Sequence, residues 1–332
     1  MSKRLALVGV GNAITDILVQ VDQATFDTFG LKRGSFQLVS PEQQERLLEA
    51  LEGRQMSLIS GGAVCNSIIL ASQLGISSAF VCRVGDDRYG LHYLQELSTL
   101  GIEVPSPPIV RERSGTSVIM ITPDGERTMS TCLQASADLN SGDLSGGAIE
   151  SAAWVFIEGY LLGNGKEGQG AVRRAIELAR SSGTKIALTL AAPFIVEVFR
   201  DIVSDILPSV DLVFANHEEA MVYTKTDSVQ ASIAALSKEC PHTVVTEGAQ
   251  GVHIIHGGER HHVPAVPCTP VDLTGAGDAF AGGYLYGLHT GASIAESATG
   301  ACYLASKVIG RIGARLPHGA AQTYWREVVA AQ

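Results

Sequence analysis

The chain is predicted to be an α/β protein. A mostly parallel central sheet should lie between two layers of helices, with a second, smaller β-sheet beside it. Three observations predict this. Strand-like and helix-like segments alternate through most of the 332 residues. Two regions break that alternation with β-branched, alternating segments and no intervening helix. The composition, 45% hydrophobic and 17% charged, supplies a large core that needs no disulfide or metal staple.

Taken in order, Leu5–Val10, Ser57–Ile59, Ala79–Arg83, Trp154–Ile157, Lys185–Leu190, Leu212–Phe214 and Thr243–Thr246 read as core strands, and Val252–Ile255 with Arg260–Val263 as a hairpin. Helical spacing covers Pro41–Leu51, Val64–Leu74, Arg88–Leu100, Gly170–Ser181, His217–Tyr223, Val229–Lys238, Ala276–Leu288 and Ile294–Ile309. The regions that break the pattern are Ile14–Val21 with Phe36–Val39, and Thr116–Ile121 with Arg127–Cys132. The second pair is joined by the turn Pro123-Asp124-Gly125. No internal repeat, low-complexity run or domain-separating linker is visible.

Composition excludes several classes of function. A net charge of −10 without a basic run argues against a nucleic-acid partner, and Arg111 and Arg113 are too sparse for a phosphate track. No apolar stretch is long enough for a bilayer, and Met1-Ser2-Lys3-Arg4 leads into Leu5–Val10, too short for a signal segment. A cytoplasmic protein with no membrane partner is expected. The six cysteines form no Cys-x-x-Cys pair and suit reduced thiols. His253 and His256 lie three apart in a strand, so they should face opposite ways and not share a metal.

Chemistry concentrates at Val271-Asp272-Leu273-Thr274-Gly275-Ala276-Gly277-Asp278, which runs into the small, apolar stretch Ala279–Tyr286. A turn with almost no side chains precedes a helix, whose first N–H groups and positive dipole end suit an anion approaching Gly275, Ala276 and Gly277 closely. Asp278 would repel that anion, so its fitting task is to take a proton from a hydroxyl beside it. Taken alone, the pattern is equally a tight turn with an acid complementing the helix dipole. Two look-alikes fail. Gly9-Val10-Gly11-Asn12-Ala13-Ile14 lacks the third glycine and the helix of a dinucleotide fingerprint, and Gly163-Asn164-Gly165-Lys166-Glu167 lacks the first glycine and the hydroxyl of a Walker loop. Earlier, Gly61-Gly62-Ala63-Val64-Cys65-Asn66-Ser67 offers close backbone approach at Gly62 and, one turn on, an amide at Asn66 that donates to and accepts from hydroxyls.

These two segments resemble the C-terminal and N-terminal signatures of the ribokinase-like (PfkB) family of carbohydrate and nucleoside kinases, in the family's order and over essentially the whole chain. The resemblance implies a single ribokinase-like three-layer α/β/α domain, residues 1–332. Lid segments at about 12–40 and 108–133 would form a small β-sheet over the acceptor and exclude water. It implies ATP as phosphoryl donor and Mg²⁺, with a monovalent cation such as K⁺ a further expectation and a homodimer through the lid admitted.

By the same resemblance, Asn216-His217-Glu218-Glu219 matches the family's Asn-x-x-Glu, with Glu219 meeting magnesium mostly through water; on spacing alone it is equally a capping box. Asn216, Thr246, Gly248, Gly251 and Thr274 would form the nucleotide side, and small residues around Ala298, Ala301, Cys302 and Ala305 would leave room for adenine or let helices pack closely. Asn12, Asp16, Gly61, Gly62 and Asn66 would form the acceptor side, with Asp16 accepting two hydroxyls. Gly11-Asn12-Ala13-Ile14-Thr15-Asp16 and Leu190-Ala191-Ala192-Pro193-Phe194-Ile195 resemble segments of the adenosine kinases within the family. Ile14 and Tyr160 or Leu161 stand where a purine would be sandwiched. The expected activity is therefore γ-phosphoryl transfer to a primary hydroxyl of a nucleoside, adenosine foremost. A ribokinase-, fructokinase- or 2-keto-3-deoxygluconate-type sugar kinase, and a non-catalytic ligand-binding regulator on the same fold, are the alternatives.

Overall fold

The structure is a computed structural model and describes residues 3–144 and 147–329. The expected domain span of 1–332 thus includes termini and residues 145 and 146 that lie outside the described residues. The first part of the chain forms β1 (Leu5–Val10), β2 (Ile14–Gln20), α1 (Gln23–Asp27), β3 (Phe36–Leu38), α2 (Pro41–Ala50), β4 (Met56–Gly61), α3 (Ala63–Leu74), β5 (Ser78–Val81), α4 (Arg88–Thr99) and β6 (Ile102–Glu103). Next come β7 (Thr116–Ile121), β8 (Arg127–Cys132), β9 (Ala152–Glu158), α5 (Gly165–Ser182), β10 (Lys185–Thr189), α6 (Pro193–Val198), α7 (Arg200–Ile206), β11 (Leu212–Asn216), α8 (His217–Thr224) and α9 (Val229–Leu236). The last part forms β12 (His242–Thr246), β13 (Val252–His256), β14 (Glu259–Val263), α10 (Ala276–Thr290), α11 (Ile294–Ile309) and α12 (Ala320–Val329).

Among the described residues, nine strands form the central sheet in the order β14-β13-β12-β11-β10-β9-β1-β5-β6. Pairing is parallel from β12 to β6 and antiparallel at β12–β13 and β13–β14. Side-chain alternation explains the two helical layers. On β9, Val155 and Ile157 face the layer of α5, α6, α8 and α9, while Trp154 and Phe156 face that of α3, α4, α10 and α11. Valine and isoleucine favour the pleated backbone because their branched Cβ is already restricted there.

The second sheet has the order β3-β8-β7-β2-β4 and a core of its own, where Ile17, Val19, Val118 and Met120 meet Phe26, Leu47 and Leu51. Ser57–Ile59, read from sequence as a core strand, belongs here instead. It lies in β4 and runs antiparallel to β2, with Ile14 opposite Gly61. The local pattern of a strand specifies its type but not the sheet it joins. The small strand β6 and helices α1, α6, α7 and α12 have no counterpart among the sequence-predicted elements. The helix expected from Gly170 starts earlier, at Gly165. Three glycines weaken the helical signal there, and Gly168 is required because a Cβ would stand 2.2 Å from the Leu161 carbonyl oxygen.

Helix starts follow local chemistry. Ser40 with Gln43, Asn216 with Glu219, and Ser293 with Glu296 each form a reciprocal capping box, which spends two orphan N–H groups at α2, α8 and α11. The second sheet is tied to the main body by a part-buried ion pair from Arg127 on β8 to Asp272, just before α10.

Candidate active site

The carboxyl ends of β1, β9, β10, β11 and β12 and the amino ends of α3 and α10 converge on one edge of the central sheet, where open α/β sheets place their ligands. Gly275 caps α10 at φ +78°, and a Cβ on it would stand 2.5 Å from that of Ala314, so only glycine fits. The amides of the turn are not equivalent. The Ala276 N–H closes a turn onto the Leu273 carbonyl at 3.3 Å, and the Ala279 N–H bonds Gly275 at 2.8 Å. Gly277 and Asp278, in the first turn between them, have no intrahelical acceptor for their N–H groups. Space is open where a Gly277 Cβ would be. Of the predicted anion-hole residues, Gly277 is thus the freest to receive a ligand. Thr274 holds its place through its backbone N–H, bonded to Asp272 Oδ1 at 3.0 Å.

Asp278, half-buried on this first turn, accepts a hydrogen bond from Asn66 Nδ2 at 2.9 Å, while Ser67 Oγ donates to its carbonyl at 2.9 Å. The two signature segments, 212 positions apart, therefore meet side chain to side chain. Burial pushes the Asp278 carboxyl up to about 7, against the Asn66 hydrogen bond and with the negative charge of Asp16 adding to the rise. Asp16 is also pushed up to about 7 by burial, and the guanidinium groups of Arg315 and Arg127 oppose that shift. Its carboxylate lies over Gly61, where a Cβ would come within 2.8 Å of Oδ2.

Gly62 adopts φ +107°, and a Cβ there would stand 2.2 Å from the Asn12 carbonyl oxygen. Gly62→Ala is expected to cost about 1–3 kcal/mol from backbone strain alone and to displace the start of α3, weakening acceptor binding. Urea melts and acceptor KM check this; wild-type values for both would contradict it.

Sequence reasoning missed Glu158, which ends β9 and is 1% exposed. Its carboxylate accepts from Asn12 Nδ2 at 3.0 Å, the Asn12 N–H at 3.3 Å and the Val64 N–H at 3.4 Å, and so joins the end of β1 to the start of α3. Burial raises it to about 7, opposed by the Asn12 amide and the Val64 N–H and reinforced by Asp278. Asn12 itself is 4% exposed, and its Oδ1 accepts from Ser136 and Asn164. Its side chain is committed to the wall of the site rather than to its surface. A buried acid at a strand's carboxyl end, in Ile157-Glu158-Gly159, was the available signal.

Arg315 was missed too. Its Nη1 donates to Glu96 at 2.8 Å, while Nε and Nη2 are buried without a hydrogen-bond partner among the described residues. Its positive charge acts on Asp16, opposing the rise of that carboxyl.

Of the residues expected to meet the nucleotide, Asn216 and Thr246 are neighbours across the ends of β11 and β12. Gly248 (φ +53°) has open space around it, whereas a Cβ on Gly251 would meet the Val263 carbonyl at 2.1 Å, so Gly251 serves the β12–β13 turn. Glu219 is 5% exposed, and both its carboxylate oxygens are engaged: Oε2 by the Asn216 N–H at 3.0 Å and Oε1 by Asn216 Nδ2 at 2.7 Å. Burial raises Glu219 to about 7 against that backbone hydrogen bond. Among the described residues no group of three or more His, Cys, Asp or Glu could hold a metal ion. The small residues of α11 pack on α10, with Ala301 against Gly283. His253 stacks on His262, while His256 meets His242 at a tilt of 56°, on opposite faces of β13.

Residues 29–320 match the family model for pfkB family carbohydrate kinases. Adenosine kinase 1 of Arabidopsis thaliana is 29% identical over 334 aligned residues, covering 94% of this chain and 96% of its own. The crystal structure of adenosine kinase from Sinorhizobium meliloti superimposes with a TM-score of 0.87 at 29% identity, covering 98% of this chain and 99% of that one. A probable sugar kinase from Rhizobium etli gives 0.88 at 28% identity, with the same coverage.

Proposed function

The chain belongs to the pfkB family of carbohydrate kinases, an ATP-dependent kinase of a nucleoside or sugar, and from that premise we propose that its acceptor is a nucleoside, adenosine foremost, with Asp278 as the base. The observation that carries this reading is the Asn66–Asp278 contact at the start of α10. It sets a carboxyl near neutral in affinity for protons beside amides that lack partners.

In the reaction, Asp16 holds the acceptor hydroxyls and Asp278 takes the proton of the primary hydroxyl. That oxygen bonds the γ-phosphorus as the bond from the γ-phosphorus to the β–γ bridging oxygen breaks, and ADP leaves. Of the Gly275–Gly277 turn and the residue after it, the free N–H groups of Gly277 and Asp278 face the charge on the transferring group, and Arg315, whose charge acts on Asp16 and whose Nε and Nη2 are unspent, supplies further donors to it. Thr246, Gly248, Gly251, Thr274 and Asn216 form the nucleotide side. Magnesium, when bound with ATP, neutralises phosphate charge, and Asn216 and Glu219 would hold its water shell.

A flat base is favoured by Tyr160 and Phe194, whose ring centroids are 6.2 Å apart at 42° beside this cluster, with Phe194 48% exposed and available for stacking. The test is magnesium-ATP with adenosine, inosine, ribose, fructose and 2-keto-3-deoxygluconate, following ADP release. Adenosine should give the highest kcat/KM. A higher value for a sugar would move the acceptor to the sugar-kinase class, and no release with any of them would favour a ligand-binding regulator.

Glu219→Gln is expected to raise the magnesium concentration for half-maximal rate by about tenfold. Wild-type magnesium dependence, with only the ~1 kcal/mol loss of a cap, would reduce Glu219 to the capping box. The K⁺ expectation is tested by the same assay in sodium and potassium salts. The compartment and assembly belong to this reading as well. All six cysteines are unpaired, five of them buried, which suits the cytoplasm, and among the described residues no helix is long and apolar enough to cross a membrane. The exposed Phe36 and Leu38 on edge strand β3 suit a dimer through the lid, which sedimentation would detect.

A further inference from the structure

A second cleft opens at the opposite, amino-terminal edge of the central sheet, where β9, β10, β11 and β12 begin. Its volume is about 630 Å³, within the range of small-molecule sites. Basic groups dominate its polar lining. Arg180 reaches it from α5, Lys185 from the start of β10, and His256 from the end of β13, with His242 at its floor. The carboxylate that lines it, Asp211, is held by the Ile186 N–H at 2.7 Å. A cationic cleft in a chain of net charge −10 runs against the protein's overall field.

The rest of the wall is flat and apolar. The Lys185 ammonium lies 5.2 Å from the centroid of the Trp154 ring, and Leu288 lines the cleft from α10. His242 is 5% exposed, its Nε2 is 2.8 Å from Tyr284 Oη, and its ring centroid is 4.3 Å from that of His256. Burial, reinforced by His256 and Lys185, presses the His242 imidazole down to about 3, so it stays neutral and fixed by Tyr284. Tyr284 and Leu288 lie on α10, whose first turn carries Asp278, and β12 runs from His242 to Thr246.

We propose that this cleft is a second ligand site for a small phosphate monoester with a flat apolar body, of the nucleoside 5′-monophosphate class. The phosphate meets Arg180, Lys185 and His256, and the body lies along Trp154 and Leu288. An occupant would touch the far ends of two elements that build the phosphoryl site. The assignment stands whether or not Asp278 is the base.

The chain has two tryptophans, Trp154 and Trp325, and Trp325 packs against Gly300 on α11. Protein labelled with 5-fluorotryptophan therefore gives two ¹⁹F resonances, assigned with Trp154→Phe. On titration with adenosine 5′-monophosphate, the Trp154 resonance should shift to saturation while that of Trp325 stays still. Inorganic phosphate should bind more weakly. The double variant Arg180→Glu, Lys185→Glu, in exposed positions outside the active site, should weaken the monophosphate by about tenfold or more and leave turnover without added monophosphate unchanged. Monophosphate bound at the active site would be indifferent to that charge reversal. A silent Trp154 resonance, or a shift undiminished in the double variant, would overturn the site. Phosphate binding as tightly as the monophosphate would overturn the flat-bodied ligand.

Discussion

Asp278→Asn is expected to lower kcat by about 10²–10⁴, the usual contribution of a positioned base, while leaving ATP and acceptor binding nearly intact. Asparagine keeps the shape and can still pair with Asn66, so a loss confined to turnover reports proton transfer and not misfolding. The pH dependence follows from the same group. A base must be ionised, and with burial holding Asp278 at about 7, wild-type kcat/KM should rise with pH through about 7 and level above it. Asp16 is raised to about 7 as well and must be ionised to accept hydroxyls, so the acid limb belongs to the pair. Steady-state kinetics over that range check both points, and a flat profile with an active Asp278→Asn enzyme would remove Asp278 from the mechanism.

Glu158→Ala should have the next largest effect, on stability and activity together. The carboxylate accepts from two donors on Asn12 and one at Val64. Its loss strands buried N–H groups, at a total cost of about 2–4 kcal/mol given penalties of 1–3 kcal/mol per orphaned group and the length of two of these bonds. It also frees the start of α3, which carries Asn66 to Asp278, so kcat should fall even where the fold survives. Glu158→Gln keeps the volume but turns an amide toward an N–H donor, so it should lie between wild type and alanine in both measurements. Denaturant melts beside kinetics decide. Wild-type stability for the alanine variant would mean that Glu158 does not hold β1 to α3.

What was legible in the sequence is what local chemistry writes there. The turn ending at Gly275 and the helix that follows from Ala276 were readable because small residues, an acid and an apolar run are contiguous. β7, β8 and α11 carry the ends predicted for them, because alternation, capping and C-terminal punctuation agree there. Asn216–Glu219 showed its capping box through three-residue spacing, and that geometry is present whatever the pair does for magnesium. What escaped depends on distant partners. β4 looks like any half-buried strand until β2 pairs with it. The Arg127–Asp272 pair spans 145 positions and has no local signature. Glu158 stands out only once β1 and α3 are seen to donate to it, and the basic cleft exists only because four strands start side by side.

The most direct test of the central claim is a crystal structure with adenosine and a non-hydrolysable ATP analogue bound together with magnesium. The primary hydroxyl should lie within about 2.6–3.2 Å of an Asp278 carboxylate oxygen, with the γ-phosphate over the Gly277 and Asp278 amides. A start of α10 plugged by protein atoms, with Asp278 turned to solvent while both ligands sit elsewhere, would contradict it.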